Sequence, residues 1–358
     1  MGDDGVVDPG FWAGKRVLVT GHTGFKGSWL SLWLQLLGAD VHGLALEPHT
    51  TPALFTEAGI AEGMHSVVGD IRSYEVVLAA LRAVRPEVVL HLAAQAQVRE
   101  SYASPVGTYA TNVMGSVHVL EAARQTPSVR VLVNVTTDKV YENTGSARGY
   151  REDEPLGGFD PYSSSKGASE LVTSAYRRSF FSDAGVAVAS ARAGNVIGGG
   201  DWASDRLVPD ILRALQANVP VHIRNPDAVR PWQHVLEPVS GYLRLAERLS
   251  LDGEAVAGPW NFGPLDADAK PVSWIVEQML RHWPGNQGWR VDSGPHPHEA
   301  AYLRLDISKA RTGLGWQPRW TLEQALEKIA AWHRGWHAGQ DVRALTIEQI
   351  RAYASGGL

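Results

Sequence analysis

Thr137, Asp138, Lys139, Tyr162 and Lys166, all within the stretch from Val131 to Lys166, carry side chains able to give or take protons. That stretch begins as an apolar run, breaks at Thr136-Thr137-Asp138-Lys139, and ends on a tyrosine and a lysine four residues apart. If Tyr162 opens a helix, this spacing sets its phenol and the Lys166 ammonium on one face. A phenol titrates near ~10 unless a nearby cation favours its anion, so the pair could make a base usable at neutral pH. The run Ser163-Ser164-Ser165 lacks a nucleophile-elbow pattern and reads as capping or cofactor hydrogen bonding.

Positioning these groups requires a buried strand from Val131 and a helix from Tyr162 to about Phe181. Upstream, Val17–Thr20 is a short β-branched run suited to a buried parallel strand. Gly21, Gly24 and Gly27 follow, with Thr23 and Phe25 among them, and then a helical pattern ended by Gly38. Strand, glycine turn and helix together make a dinucleotide-binding turn, in which the backbone approaches a pyrophosphate at a helix N-terminus. The spacing is G-x-x-G-x-x-G. A P-loop is excluded, because Gly27 separates Lys26 from Ser28.

The second strand, Asp40 to Leu46, lacks the usual ribose-binding acid at its end; Ala45 takes that register position and Glu47 falls late. Asp70 and Ile71, after a further short strand, are the adenosine-side candidates, with a helix-capping Asp70 as the alternative. The run EVVLHLAAQ reads as another strand, and it brings Leu92, Ala93 and Ala94 to where a cofactor could lie on the strand end. Asn112 sits inside the helical segment Pro105–Gln125. A mid-helix Asn usually faces solvent or bonds the backbone, and Asn112 is also taken as a cofactor-side candidate. Beyond residue 190 the strand–helix alternation fades. Arg192, Asn195, Arg206, Arg230, His234 and Glu299 lie on that side, and as a cluster they suggest a phosphorylated or sugar-bearing substrate, although any single arginine reads as an ion pair. His296, His298 and Glu299 are stiffened by prolines and read as a plain loop, with no metal site.

The pattern is α/β: a Rossmann-type doubly wound parallel sheet followed by a smaller C-terminal α/β substrate-binding domain. The expected boundaries are a flexible lead-in at 1–13, a dinucleotide-binding domain at 14–190, a substrate domain at 191–340 with some segments returning to the first, and a surface tail at 341–358. At 358 residues, 44% hydrophobic and 20% charged, the composition is that of an ordinary globular protein. A net charge of -5 disfavours general nucleic-acid binding, no apolar run is long enough for a membrane span, and there are no cysteines for disulfides or thiolate ligands. The N-terminus lacks a signal-peptide layout, and the expected location is cytoplasmic.

The segments GHTGFKG, HLAAQ, TTDKVYEN, the Tyr162/Lys166 pair, RAGNVIGGGDW and RPWQHVLEP together resemble the extended short-chain dehydrogenase/reductases. Within that superfamily they are most similar to the CDP-glucose 4,6-dehydratases, from about Phe11 to Trp336. The resemblance implies a retained NAD, a nucleotide-sugar substrate and an internal redox cycle. Tyr162, kept anionic by Lys166 and assisted by Thr137, would take the proton of the sugar 4-hydroxyl during oxidation. Asp138 would protonate the departing 6-hydroxyl. Lys139 stands where related dehydratases carry a glutamate, and it would be either the C5 base or an enolate stabiliser. The resemblance also implies NAD contacts from the glycine turn, Asp70 and Ala93, and substrate contacts from Asn195, Arg206, Arg230 and Glu299. It further implies a homodimer through the Pro105–Gln125 and Tyr162–Phe181 helices, sometimes paired into a homotetramer.

Overall fold

The computed structural model describes residues 5–146, 148–294 and 303–356. Its centre is a seven-stranded sheet of β1 (Arg16–Thr20), β2 (Asp40–Ala45), β3 (His65–Val68), β4 (Val88–His91), β5 (Val131–Val135), β6 (Ala187–Ala193) and β7 (Gly258–Phe262). The order across the sheet is β7-β6-β5-β4-β1-β2-β3, and every neighbouring pair is parallel. The principal helices are α1 (Phe25–Leu36), α2 (Tyr74–Val84), α3 (Pro105–Tyr109 and Gly115–Arg124 joined by the π turn Ala110–Met114) and α4 (Pro161–Tyr176). They are followed by α5 (Leu207–Gln216), α6 (Leu236–Asp252), α7 (Val272–Arg281), α8 (Leu322–His337) and α9 (Val342–Ala354).

Alternation along the strands builds two cores. Val17, Val19, Val131 and Val133 join Trp29 and Leu30 of α1 and Val239 and Leu243 of α6 in one layer. Leu18, Val89 and Leu132 join Val77 and Leu81 of α2 and Leu120 of α3 in the other. Burial on both faces is why these strands read as unbroken apolar runs; each fully buried Val or Leu contributes about 1.5–3 kcal/mol. A third cluster, built from α5, α7 and α8 around Ile211, Ile275 and Leu326, is the smaller unit. The segments α6 and β7, although late in sequence, pack into the main sheet layers.

Strand order reverses between β1 and β4, and ligands bind such sheets beyond the carboxyl ends of the strands at this crevice. The turns leaving β1, β4, β5 and β6 all open there.

Two expectations about the ends need correction. The described part of the lead-in is docked: Pro9–Trp12 forms a helical turn, and Trp12 is fully buried with its indole Nε1 donating to Glu247 at 2.7 Å. The tail is helix α9, whose Ile350 and Tyr353 enter the core; Tyr353 donates its hydroxyl hydrogen to Glu237 at 2.5 Å. Among the described residues no helix is long and apolar enough to cross a membrane.

Candidate active site

Past Val135 the chain leaves the sheet through Thr136 and Thr137 and makes a single 3₁₀ turn over Asp138–Val140. Thr137 caps that turn, its hydroxyl accepting the Lys139 backbone N–H at 3.4 Å and donating to Asp138 Oδ1 at 3.0 Å. Lys139 Nζ lies 3.5 Å from the same carboxylate oxygen. Asp138 is fully buried beneath Gly194, and its Oδ2 has no hydrogen-bond partner. A Cβ at Gly194 would sit 3.1 Å from that oxygen and 2.5 Å from Pro231 Cγ, so only glycine leaves the carboxyl this close to the cavity.

Helix α4 starts at Pro161, whose fixed φ suits the first helical position. Asp160 caps it, accepting the Ser163 backbone N–H at 2.9 Å. Tyr162 therefore lies in the first turn and Lys166 one turn later. Lys166 Nζ donates to the Val135 carbonyl at 3.1 Å, tying the helix to the end of β5. A second tie lies deeper: Glu170 accepts from Thr136 Oγ1, Ser190 Oγ and Arg192 Nη2 at 2.5, 2.6 and 2.9 Å.

Thr137, Lys139 and Tyr162 line a cavity of about 950 Å³ whose wall also includes Phe25, Lys26, Asn195, Arg206 and Arg230. Burial pushes the Tyr162 phenol up; the Lys139 charge and a hydrogen bond with Thr137 oppose it. The Arg206 charge likewise favours the phenolate, and the Asp138 carboxylate opposes it. Burial also brings Lys166 down to about 8, against the pull of Glu170.

The glycine turn fits a dinucleotide. Gly21 has φ +77°, and a Cβ there would meet the Ala93 backbone nitrogen at 2.7 Å. A Cβ at Gly24 would meet only Gly21 O, at 3.4 Å, so protein packing alone does not require that glycine. Helix α1 begins at Gly24 with no side-chain cap, leaving its first N–H groups and positive dipole end for an anion.

A family model described as GDP-mannose 4,6-dehydratase matches residues 18–329. The chain belongs to this family. It is 53% identical over 355 residues to the CDP-glucose 4,6-dehydratase of Salmonella typhimurium, covering 98% of this chain and 99% of that one. Among solved structures it is similar to a Thermus thermophilus UDP-glucose 4-epimerase in complex with NAD, at 27% identity and TM-score 0.75, covering 89% of this chain and 99% of that one. It is also similar to a Streptomyces venezuelae dTDP-glucose 4,6-dehydratase with NAD bound, at 25% identity and TM-score 0.73, covering 91% and 98%.

Against this family background, the sequence candidates separate by position. Thr137, Lys139, Tyr162, Phe25, Asn195, Arg206 and Arg230 share the cavity wall, with Asp138 and Lys166 directly behind it. Asn195 Oδ1 is buried without a partner, and Arg206 is held by Asp201 at 3.1 Å. Thr23 donates to the Leu46 carbonyl at 2.8 Å, which fastens the glycine turn to the end of β2. The Leu92 and Ala93 backbone N–H groups bond Thr20, leaving Ala93 and Ala94 at the exit of β4.

Other candidates are placed differently from their readings. Asn112 is buried and off the cavity wall, and of its readings the backbone-bonding one holds. Its Nδ2 donates to Ser165 Oγ at 2.9 Å and Gln95 O at 3.0 Å, and its Oδ1 accepts the Gln95 N–H at 2.8 Å. Asp70 is not the helix cap, which is Ser73; its carboxylate binds the Arg72 backbone N–H and Nε at 2.8 and 2.7 Å. The Ile71 side chain packs in the core. Arg192 does not face the substrate side: it is buried against Glu170, its guanidinium 4.9 Å from the Tyr141 ring centre. His234 is sealed between Trp29 and Trp320, ring centres 5.7 and 4.9 Å away, and burial drops its pKa to about 3. Glu299, with His296 and His298, lies outside the described residues.

Several cavity residues were not singled out by the sequence, Lys26 foremost. Lys26 entered the sequence reading only to exclude a P-loop, yet its side chain lines the cavity and no carboxylate pairs with it among the described residues. Its ammonium lies 5.9 Å from the Tyr242 ring centre. Burial, then Lys166 and Arg206, bring its pKa down to about 7, with Asp138 opposing. A lysine inside a glycine turn that opens a helix was the available signal.

Proposed function

We propose that the chain dehydrates CDP-glucose to CDP-4-dehydro-6-deoxyglucose. The observation that carries the reading is the side-by-side placement of the Asp138–Lys139 pair and the Thr137–Tyr162 pair at one cavity wall. Oxidation at C4 alone would need only Tyr162, Thr137 and Lys166. A further acid and amine beside them suit loss of the 6-hydroxyl. The 53% identity to a CDP-glucose 4,6-dehydratase supports the nucleotide.

In this reading Tyr162 takes the proton of the sugar 4-hydroxyl and Thr137 hydrogen-bonds the same oxygen. Gly21, Gly24 and Gly27 would hold NAD, whose nicotinamide would supply the hydride chemistry for oxidation at C4 and reduction at C6. Lys166 holds its charge behind the phenol. The 4-ketone acidifies the C5 hydrogen, and Lys139 serves that carbon, as base or as the cation that stabilises the enolate. Asp138 delivers a proton to the departing 6-hydroxyl. Asn195, Arg206 and Arg230 face the nucleotide-sugar, and Arg206 is pre-oriented by Asp201.

The chain should be offered CDP-, dTDP-, GDP- and UDP-glucose and the products weighed. A 4-keto-6-deoxy product from CDP-glucose is expected. Product from another nucleotide with none from CDP-glucose would overturn the substrate assignment.

The active form is proposed as a homodimer through α3 and α4. Supporting this, Val106 is 82% exposed and Leu171 62%, with Tyr109, Met114 and Phe180 also exposed. Such an outward apolar face on a pair of packed helices suits a partner.

A further inference from the structure

At the amino ends of the strands, the opposite side of the sheet from the cavity, two imidazoles and a carboxylate converge. His42 of β2 stands directly across from His65 of β3 in the parallel register, on backbones spaced roughly 4.8 Å apart. Asp40 precedes His42 by two residues and so shares its face. The two rings stack with centres 4.7 Å apart and 20° between their planes. His42 Nε2 lies 3.1 Å from Asp40 Oδ1, and one ligand atom from each of the three residues falls within 4.8 Å of the others.

We infer that Asp40, His42 and His65 form a binding site for a divalent transition metal of the zinc type. Two imidazole nitrogens and a carboxylate oxygen suit zinc, nickel or copper, whereas magnesium and calcium favour all-oxygen shells. A tetrahedral ion with bonds of about 2.0–2.1 Å holds its ligands roughly 3.3 Å apart. The Asp40–His42 gap is already near that spacing, and the exposed His65 ring closes the rest by rotation. The fourth position stays open to water.

The mechanical consequence falls on β3. It is four residues long, exposed throughout, paired on one side only, and it leads directly into Gly69–Asp70. A metal shared with β2 ties this edge strand down in the folded chain, and an ion that binds only the folded form stabilises it. Since the site lies at the far ends of the strands, it acts on stability and leaves the cavity residues alone.

The test uses the full-length, tag-free protein, stripped with a chelator and titrated with zinc chloride by calorimetry, with melting followed in parallel. One equivalent per chain and a rise in melting temperature are expected. His65→Gln should weaken binding about a hundredfold or more, since loss of an outer-shell partner alone costs ~10–100-fold. Asp40→Asn should weaken it too, and both variants should keep full turnover of nucleotide-sugar, which also shows that they fold. Undiminished zinc binding by His65→Gln, loss of the equivalent on replacing His296 and His298 instead, or no zinc uptake at all would each overturn the site.

Discussion

Lys26 puts an ammonium inside the cavity with no ion pair among the described residues, and the Asp138 charge only partly offsets its burial, which has a measurable cost. Its folded pKa of about 7 lies below the ordinary lysine value of 10.5. Between those two pH values the unfolded chain binds more protons, so stability rises with pH across that window. The penalty is fully present below about pH 7 and gone above 10.5. Lys26→Met should therefore melt higher than the parent at pH 6.5, with the difference shrinking by pH 9.5, while turnover falls. Groups that serve a site at the expense of stability behave this way. A variant that melts lower at pH 6.5, or keeps full turnover, would remove Lys26 from the site. Arg192 behaves oppositely. Arg192→Leu leaves Glu170 buried without its charge partner and should lower unfolding free energy by about 3–5 kcal/mol in denaturant titration, with little change in the KM for nucleotide-sugar. A raised KM at unchanged stability would return Arg192 to the substrate. The difference between these residues explains what could be read from the chain. Thr137, Asp138 and Lys139 are contiguous, and Tyr162 and Lys166 are one helical turn apart, so spacing alone brings each set together. An arginine's partner is set by tertiary contact, and Glu170 reaches Arg192 only because α4 packs on β6.

At the level of elements, strands β1, β4 and β5 were legible because burial on both faces makes them continuously apolar, whereas β2 ends at Ala45, one residue short of the expected Leu46. The docked lead-in and α9 were not. Their burial rests on a few groups, Trp12 against Glu247 and Tyr353 against Glu237, whose partners lie over a hundred residues away. The π turn at Ala110–Met114 was equally invisible; Asn112, inside it, bonds the Gln95 backbone, one of the two usual roles of a mid-helix Asn, but its bond to Ser165 depends on the packing of α3 on α4. Helices α3 and α4 carry the clearest consequence at this scale. If their exposed face pairs two chains, Val106→Asp together with Leu171→Asp should turn a dimer into a monomer by light scattering, because charges would be buried unpaired. A monomeric parent chain would contradict that assignment.

Across the whole molecule, the sheet presents Tyr162 and Thr137 at the carboxyl ends of its strands, and the smaller unit brings Arg206 and Arg230 to face them across the cavity. The glycine turn and the catalytic strand converge there because both leave the sheet beside the reversal of strand order. In the proposed function, oxidation at C4 and reduction at C6 occur in this single cavity without exchange of the hydride. CDP-glucose carrying deuterium at C4 tests it most directly. The deuterium should appear at C6 of the 4-keto-6-deoxy product. Loss of that deuterium to solvent, or its retention at C4, would contradict it.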